Sequence, residues 1–141
     1  TINLVNTFAK ALDGTNHCLI MKVNNRDGLI ESPNIKYVTE KISVGELAGL
    51  YNICDYVVSF TRGEGVGLPM LEAQYFNKPV IAHDQGVFPH IKDETWITLP
   101  SREVPIDYTH VPEFLKKVFY GTWWEVDYEK AQELIMSLIK S

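Results

Sequence analysis

A short apolar segment, a glycine-rich turn and a proline-initiated helix follow one another in the middle of this chain, and this unit constrains the fold most. Tyr56–Phe60 is predicted to form a short buried strand. Gly65 and Gly67 lie in the turn, and Pro69 suits the first turn of a helix, where no amide donor is missed. A helix N-terminus reached through such a turn presents free backbone amides and a positive end, which favour a phosphate.

Helical and extended patterns alternate along the rest of the chain. Asp13-Gly14 ends the first helix, Ser43 and Glu46 predict a capping box, and Asn77 is expected to close a helix in the left-handed conformation. Short apolar strands separated by helices predict an α/β fold, a Rossmann-like parallel sheet with helices on both faces, whose ligands bind beyond the carboxyl ends of the strands. The predicted helices are 2–12, 44–53, 69–76, 111–120 and 127–140, and the predicted strands are 17–23, 35–38, 55–60, 79–82 and 95–99.

Two carboxylates, Glu64 and Glu72, lie eight residues apart around the glycine turn. A carboxylate on each side of a phosphate-binding turn indicates hydroxyl recognition beside phosphate recognition, as a nucleotide-linked sugar requires. The structural alternative is that Glu72 only favours the helix dipole and that Glu64 is a solvated loop residue.

The segment from Leu47 to Ala82 resembles the donor-binding, C-terminal half of retaining GT-B glycosyltransferases, which are glycosyltransferase family 4 or glycosyl transferases group 1. The shared pattern is a Leu-x-x-Leu-Tyr helix, an Asp that opens a strand, a Ser that ends it, Glu-x7-Glu and a Pro-Val-Ile strand. The resemblance extends over residues 2–99. It implies transfer of a sugar from a UDP- or GDP-sugar to an acceptor hydroxyl with retention of configuration, with no resident cofactor and no metal.

The resemblance also assigns roles to individual residues. Glu64 matches the catalytic acid that contacts the donor sugar and supports charge near the reacting carbon, and Glu72 matches the acid that binds the ribose hydroxyls. Val38 matches a position whose backbone binds the base. The amides of the turn meet the sugar hydroxyls and the pyrophosphate, and this turn comprises Gly65, Val66, Gly67 and Leu68.

The same resemblance implies that residues 1–141 are one nucleotide-sugar-binding domain, truncated at its N-terminal side. The donor-phosphate Arg and Lys of the family lie upstream of Thr1, and the domain that binds a glycan, lipid or protein acceptor is absent from this chain. We expect the parent protein to be an enzyme of the hexosyltransferase type and the isolated chain to be inactive. Two alternatives remain open, namely a non-catalytic nucleotide-sugar-binding subunit that needs a partner chain and a sugar-nucleotide epimerase or phosphorylase of related architecture.

Composition and charge limit the partners. The net charge of −5 argues against a general nucleic-acid-binding surface, and no apolar run reaches membrane-spanning length. Cys18 and Cys54 are predicted to be free, buried residues, which fits a reducing cytoplasm, and peripheral membrane attachment of the full-length protein stays open. The four histidines show no paired metal-ligand spacing.

Three further features each have a functional and a structural interpretation. Arg62 is either a phosphate contact or a solvated loop arginine, and His83 is either a proton-transfer group or a hydrogen-bonding loop residue. The pair Trp123-Trp124 either stacks on a sugar or packs the end of the chain against a missing domain. In each case the structural interpretation is favoured.

Overall fold

The computed structural model describes residues 2–109, 111–118 and 120–140. Helices and strands alternate through these ranges, with one 3-10 turn at Phe88–His90. The helices are α1 (Ile2–Ala11), α2 (Val44–Ile53), α3 (Leu68–Tyr75), α4 (Glu113–Lys116) and α5 (Tyr128–Lys140). The strands are β1 (Leu19–Lys22), β2 (Ile35–Val38), β3 (Val57–Val58), β4 (Val80–Ala82), β5 (Ile97–Thr98), β6 (Ser101–Pro105) and β7 (Thr122–Val126).

The strands before residue 100 pair in parallel, as the alternation of helices and strands predicts. In the first sheet β1 pairs with β2, and Leu19 lies opposite Ile35. In the second sheet β4 lies between β3 and β5, and Ile81 lies opposite both Val58 and Ile97. The α/β, Rossmann-like fold class is confirmed, but the parallel strands of the described chain form two sheets and not one.

Helices cover both faces of the three-stranded sheet. Successive side chains of a strand point to opposite faces, so neighbouring residues of β3 and β4 enter different cores. Val57 and Val80 pack in the core that contains the buried residues of α3. Val58 and Ile81 pack on the other face, in the core that contains Ala131 of α5. This arrangement explains why these strands are continuous apolar runs and do not alternate with polar residues.

Helices α1 and α5 pack together over the first sheet. Both are amphipathic, and their apolar stripes follow the spacing of a surface helix. The ring of Phe8 on α1 lies 6.3 Å from that of Phe60, just after β3, so this core also reaches the second sheet. The buried members of the core are Leu4, Val5, Phe8, Ala11, Leu12, Leu19, Ile35 and Ile135.

Two predicted helix ends are confirmed in detail. The Ser43 hydroxyl accepts the Glu46 amide at 3.2 Å, and the Glu46 carboxylate accepts the Ser43 amide at 2.7 Å, which completes the capping box. Asn77 has φ of +54°, and the next amide, of Lys78, donates to the carbonyl of Ala73 at 2.9 Å. Asparagine tolerates the left-handed region better than most residues with a Cβ, so it ends α3 here.

An antiparallel hairpin near the carboxyl end differs from the prediction. Strands β6 and β7 pair with Val104 opposite Trp123, and residues 106–121 connect them. The helix predicted over 111–120 is reduced to α4, within the described residues of that segment. Pairing between strands so far apart in sequence depends on tertiary contacts, which local periodicity does not reveal.

Candidate functional site

The glycine turn lies between β3 and α3 and has an exposed tip. At its base, the Thr61 hydroxyl donates to the Gly63 carbonyl at 2.8 Å. Residues 63–66 are exposed, and Gly67 is buried where α3 begins. Glu64 therefore lies at the solvent-facing tip, where a ligand can reach its carboxylate.

Gly67 is required by its conformation and its packing. It has φ of +75°, which favours glycine, and it caps α3. A Cβ at this position would lie 2.7 Å from Cδ1 of Ile91 and 3.2 Å from Cε1 of Phe88. The missing Cβ thus makes room for the segment after β4. At Gly65, by contrast, a Cβ would meet no atom within 4 Å.

Glu72 is half-buried on α3 and is oriented by a tyrosine of α2. The Tyr51 hydroxyl donates to Oε2 of Glu72 at 2.7 Å, and the Tyr51 ring stacks on Phe76 at 5.3 Å between ring centres. Burial, followed by the hydrogen bond to Glu72, raises the pKa of Tyr51, so its hydroxyl remains a donor at neutral pH. A carboxylate has about four acceptor positions, and Tyr51 uses one of those of Glu72. Sequence reasoning missed Tyr51 as a site residue, although the Leu-Tyr pattern contained it.

The amides at the start of α3 are only partly available to a phosphate. Pro69 has no amide hydrogen, and the amides of Met70 and Leu71 donate to the carbonyl of Gly67 at 3.0 and 3.1 Å. The amides that can meet a ligand are therefore those of the turn itself, including Val66 and Leu68, whose side chains are exposed.

Val38 lies at the end of β2, in the two-stranded sheet. Its carbonyl accepts the Val23 amide at 3.0 Å, so one acceptor position of that carbonyl is used within the protein. The acid pair belongs to the connection between β3 and α3, in the other sheet. Glu64 thus precedes α3 and Glu72 lies in the second turn of α3, whereas Val38 belongs to a separate element.

His83 follows β4 and connects the glycine turn to the neighbouring loop. It is 2 % exposed, and its Nδ1 accepts the Gln85 amide at 3.1 Å. Its Nε2 must then carry the hydrogen that is donated to the Thr61 carbonyl at 2.8 Å. Burial lowers the pKa of His83, against smaller opposing effects of Thr61 and Asp84. The structure supports the hydrogen-bonding role, since both ring nitrogens are used within the protein.

We expect acidification to destabilise the protein through His83. Its folded-state pKa lies below the ordinary 6.5, so the unfolded chain binds more protons there. The contribution of His83 to the free energy of unfolding is fully present above pH 6.5. It is lost as the pH falls through 6.5 toward the folded-state pKa. Urea unfolding between about pH 7.5 and about pH 5 measures this slope. His83→Gln should remove the part of the pH dependence that His83 contributes. His90→Gln, at an exposed position, is the control and should retain it. An unchanged pH dependence of stability in His83→Gln would contradict the role assigned to His83.

Arg62 contacts the C-terminal hairpin. Its Nη2 lies 2.5 Å from Oε1 of Glu125, and its guanidinium carbon lies 4.4 Å from the centre of the Trp123 ring. The hairpin was absent from the predictions, so neither sequence interpretation of Arg62 anticipated these contacts. The Trp123 side chain contacts Arg62 within this chain. The prediction that it packs against a missing domain did not include this contact.

Both cysteines lie among the described residues, and neither forms a disulfide. Both cysteines are free, but Cys18 is exposed because β1 begins only at Leu19, so its predicted burial was wrong. Cys54 is half-buried, and its thiol donates to the Tyr51 carbonyl at 3.3 Å. Within the described ranges, no three His, Cys, Asp or Glu side chains are grouped so as to hold a metal ion. None of the helices described combines the length and the apolar character needed to cross a membrane.

The two acids differ in exposure, since Glu64 is exposed at the tip of the turn and Glu72 is half-buried on α3. A cavity of about 410 Å³ lies elsewhere, along α1, and contains neither Glu64 nor Glu72. It is lined by Asn6, Ala9, Lys10, Asp13 and Ile30.

Comparison with known proteins gives a family match to the segment that contains the glycine turn and both acids. Residues 31–95, slightly less than half of the chain, match the family model of glycosyl transferases group 1. No curated protein and no solved structure shows a significant match. The matched residues run from the approach to β2 to the approach to β5, and they include Val38, the glycine turn and both acids. Together with the parallel α/β fold, this match supports a glycosyltransferase group 1 domain, with sugar transfer as the general activity.

Proposed function

We propose that this chain is the donor-binding domain of a retaining GT-B glycosyltransferase that uses a UDP- or GDP-sugar. The observation that carries the proposal is the glycine turn itself, with Glu64 exposed at its tip and Glu72 oriented by Tyr51 in the second turn of α3. The turn lies inside the residues that match the glycosyltransferase family. Recognition of a sugar, a diphosphate and a ribose requires carboxylates and backbone amides close together, and this segment supplies both.

The proposed chemistry divides between the acids and the amides. The Glu72 carboxylate accepts hydrogen bonds from the two ribose hydroxyls, which a planar, bidentate acceptor favours. The amides of residues 65–68 donate to the sugar hydroxyls and to the pyrophosphate, and they stabilise the negative charge of the leaving nucleotide. Glu64 lies toward the donor sugar and supports the positive charge that develops at the reacting carbon. Backbone groups of Val38 bind the base.

The proposal extends to the parent protein. An acceptor hydroxyl must be held in line with the donor carbon, and this positioning contributes on the order of 7–11 kcal/mol to catalysis. We assign it to a separate acceptor-binding domain, with a glycan, lipid or protein as acceptor. A hexosyltransferase acting in the cytoplasm fits this scheme.

The test of the donor site is a comparison of nucleotide affinities. We expect calorimetry or ligand-observed NMR to show weak binding of UDP or GDP and weaker binding of uridine or guanosine, because only the diphosphates reach the amides of the turn. Glu72→Ala should weaken binding about tenfold, because a hydrogen bond to a charged group contributes about 1.5–3 kcal/mol.

Glu94→Ala is the matched control, since Glu94 is an exposed acid inside the residues that match the family. Its affinity for the diphosphates should remain that of the unmodified chain. Equal affinity for nucleoside and nucleoside diphosphate would contradict the donor-site assignment. An equal loss of diphosphate affinity in Glu72→Ala and Glu94→Ala would also contradict it.

A further inference from the structure

The exposed tip of the glycine turn is flanked by two fixed points. After the tip, Gly67 packs beneath Phe88 and Ile91. Before the tip, Arg62 lies against β7 of the C-terminal hairpin. Arg62 and Glu64 are two positions apart, so at most about 7 Å separates their Cα atoms. The position of the Glu64 carboxylate therefore depends on where Arg62 is held.

Both the side chain and the backbone of Arg62 contact β7. Trp123 and Glu125 are two residues apart and thus point to the same face of the strand, where the guanidinium lies between them. The Trp124 amide, on the intervening residue, donates to the Arg62 carbonyl at 3.4 Å. A planar guanidinium satisfies a carboxylate and an aromatic face together, which an ammonium group does less well.

Glu125 is the centre of this contact. Its side chain is 16 % exposed, whereas that of its second partner, Arg102, is 76 % exposed and lies 3.6 Å away on β6. The Tyr128 hydroxyl also donates to Oε1 of Glu125, at 3.4 Å. The carboxylate thus joins the glycine turn, both strands of the hairpin and the start of α5. The Arg62 guanidinium is therefore engaged within the protein by Glu125 and Trp123.

We propose that the β6–β7 hairpin positions Glu64 through Arg62, so that Arg62 and Glu125 are positioning residues and not ligands of the donor phosphates. The catalytic consequence rests on the proposed sugar transfer. The ordering of the turn does not rest on it and is measurable without a substrate.

The first readout is the backbone order of the tip, from ¹⁵N NMR relaxation of residues 63–66. Arg62→Ala and Glu125→Ala should each lower the order parameters from about 0.85 toward about 0.6. Arg102→Ala is the matched control, because Arg102 pairs with the same carboxylate but lies outside the turn. It should leave the order of the tip unchanged. Glu125→Gln preserves the shape of the side chain. It replaces Glu125→Ala in this measurement if Glu125→Ala folds poorly.

The second readout is sugar transfer by the parent protein that carries the same substitutions. Displacement of Glu64 should lower kcat about ten- to a hundredfold in either variant, with KM nearly unchanged. The double variant Arg62→Ala/Glu125→Ala should be no slower than the slower single variant, because each single change already removes the same Arg62–Glu125 contact.

Three results would overturn the positioning role. These are an unchanged order of the tip in both variants, a loss of nucleotide affinity in Arg62→Ala alone, and additive losses in the double variant. Absence of sugar transfer by the unmodified parent protein would instead refute the proposed function, and the NMR result would still decide whether the hairpin orders the turn.

Discussion

Gly67→Ala should destabilise this protein by about 2–5 kcal/mol. A Cβ at this position would lie 2.7 Å from Cδ1 of Ile91 and 3.2 Å from Cε1 of Phe88, and overpacking of a core costs about 1–3 kcal/mol. The backbone φ of +75° adds about 1–2 kcal/mol for a residue with a Cβ. Urea unfolding followed by tryptophan fluorescence measures the change in the free energy of unfolding.

A second substitution separates the two contributions. Ile91→Val removes the Cδ1 atom that the new methyl group would meet, so Gly67→Ala/Ile91→Val should regain much of the packing loss and keep the backbone strain. Gly65→Ala is the matched control, because a Cβ there meets nothing within 4 Å and its φ is not positive. An equal loss of stability at both glycines, or no recovery in the double variant, would contradict the packing explanation.

The two acids should affect different kinetic constants of the proposed transferase. Glu64→Ala should lower kcat by about 10²–10³, the loss typical of removing one group that stabilises charge in a transition state. Glu72→Ala should mainly raise KM for the donor, by about tenfold, because ribose contacts persist in the ground state and the transition state alike. Steady-state sugar transfer from UDP- and GDP-sugars measures both constants.

The isosteric variants sharpen this comparison. Glu64→Gln preserves size but removes the charge, so it should be nearly as slow as Glu64→Ala if electrostatic stabilisation is the role. Tyr51→Phe removes only the hydroxyl that orients Glu72 and should raise KM less than Glu72→Ala does. The assigned roles would be reversed if Glu64→Ala abolished nucleotide binding while Glu72→Ala left it unchanged.

Local signals in the sequence were sufficient for the elements around the site. The capping box of Ser43 and Glu46 placed α2 at 44–53, where the structure has it. The turn into Pro69 placed the start of α3 within one residue, and Asn77 ends that helix in the left-handed conformation. These features were predictable because each depends on hydrogen bonds or backbone conformations within a few residues.

Contacts between distant segments were not predictable in this way. One such contact is at Gly67, where the absence of a Cβ accommodates Ile91 and Phe88. The same limit applies to Arg62, which pairs with Glu125 across the chain. Neither partner follows from periodicity, because residues far apart in sequence meet only when the core is packed.

The sequence by itself determined the parallel α/β class, the strand–turn–helix unit and the acid pair around it, since these depend on local propensity and on the 2.0 and 3.6 periods of buried residues. Only the tertiary structure decided how the turn is held. It placed Tyr51 on Glu72, His83 beneath Thr61 and the C-terminal hairpin against Arg62. Each of these contacts joins elements that are remote in the chain, and their geometry exists only after the helices and sheets have packed together.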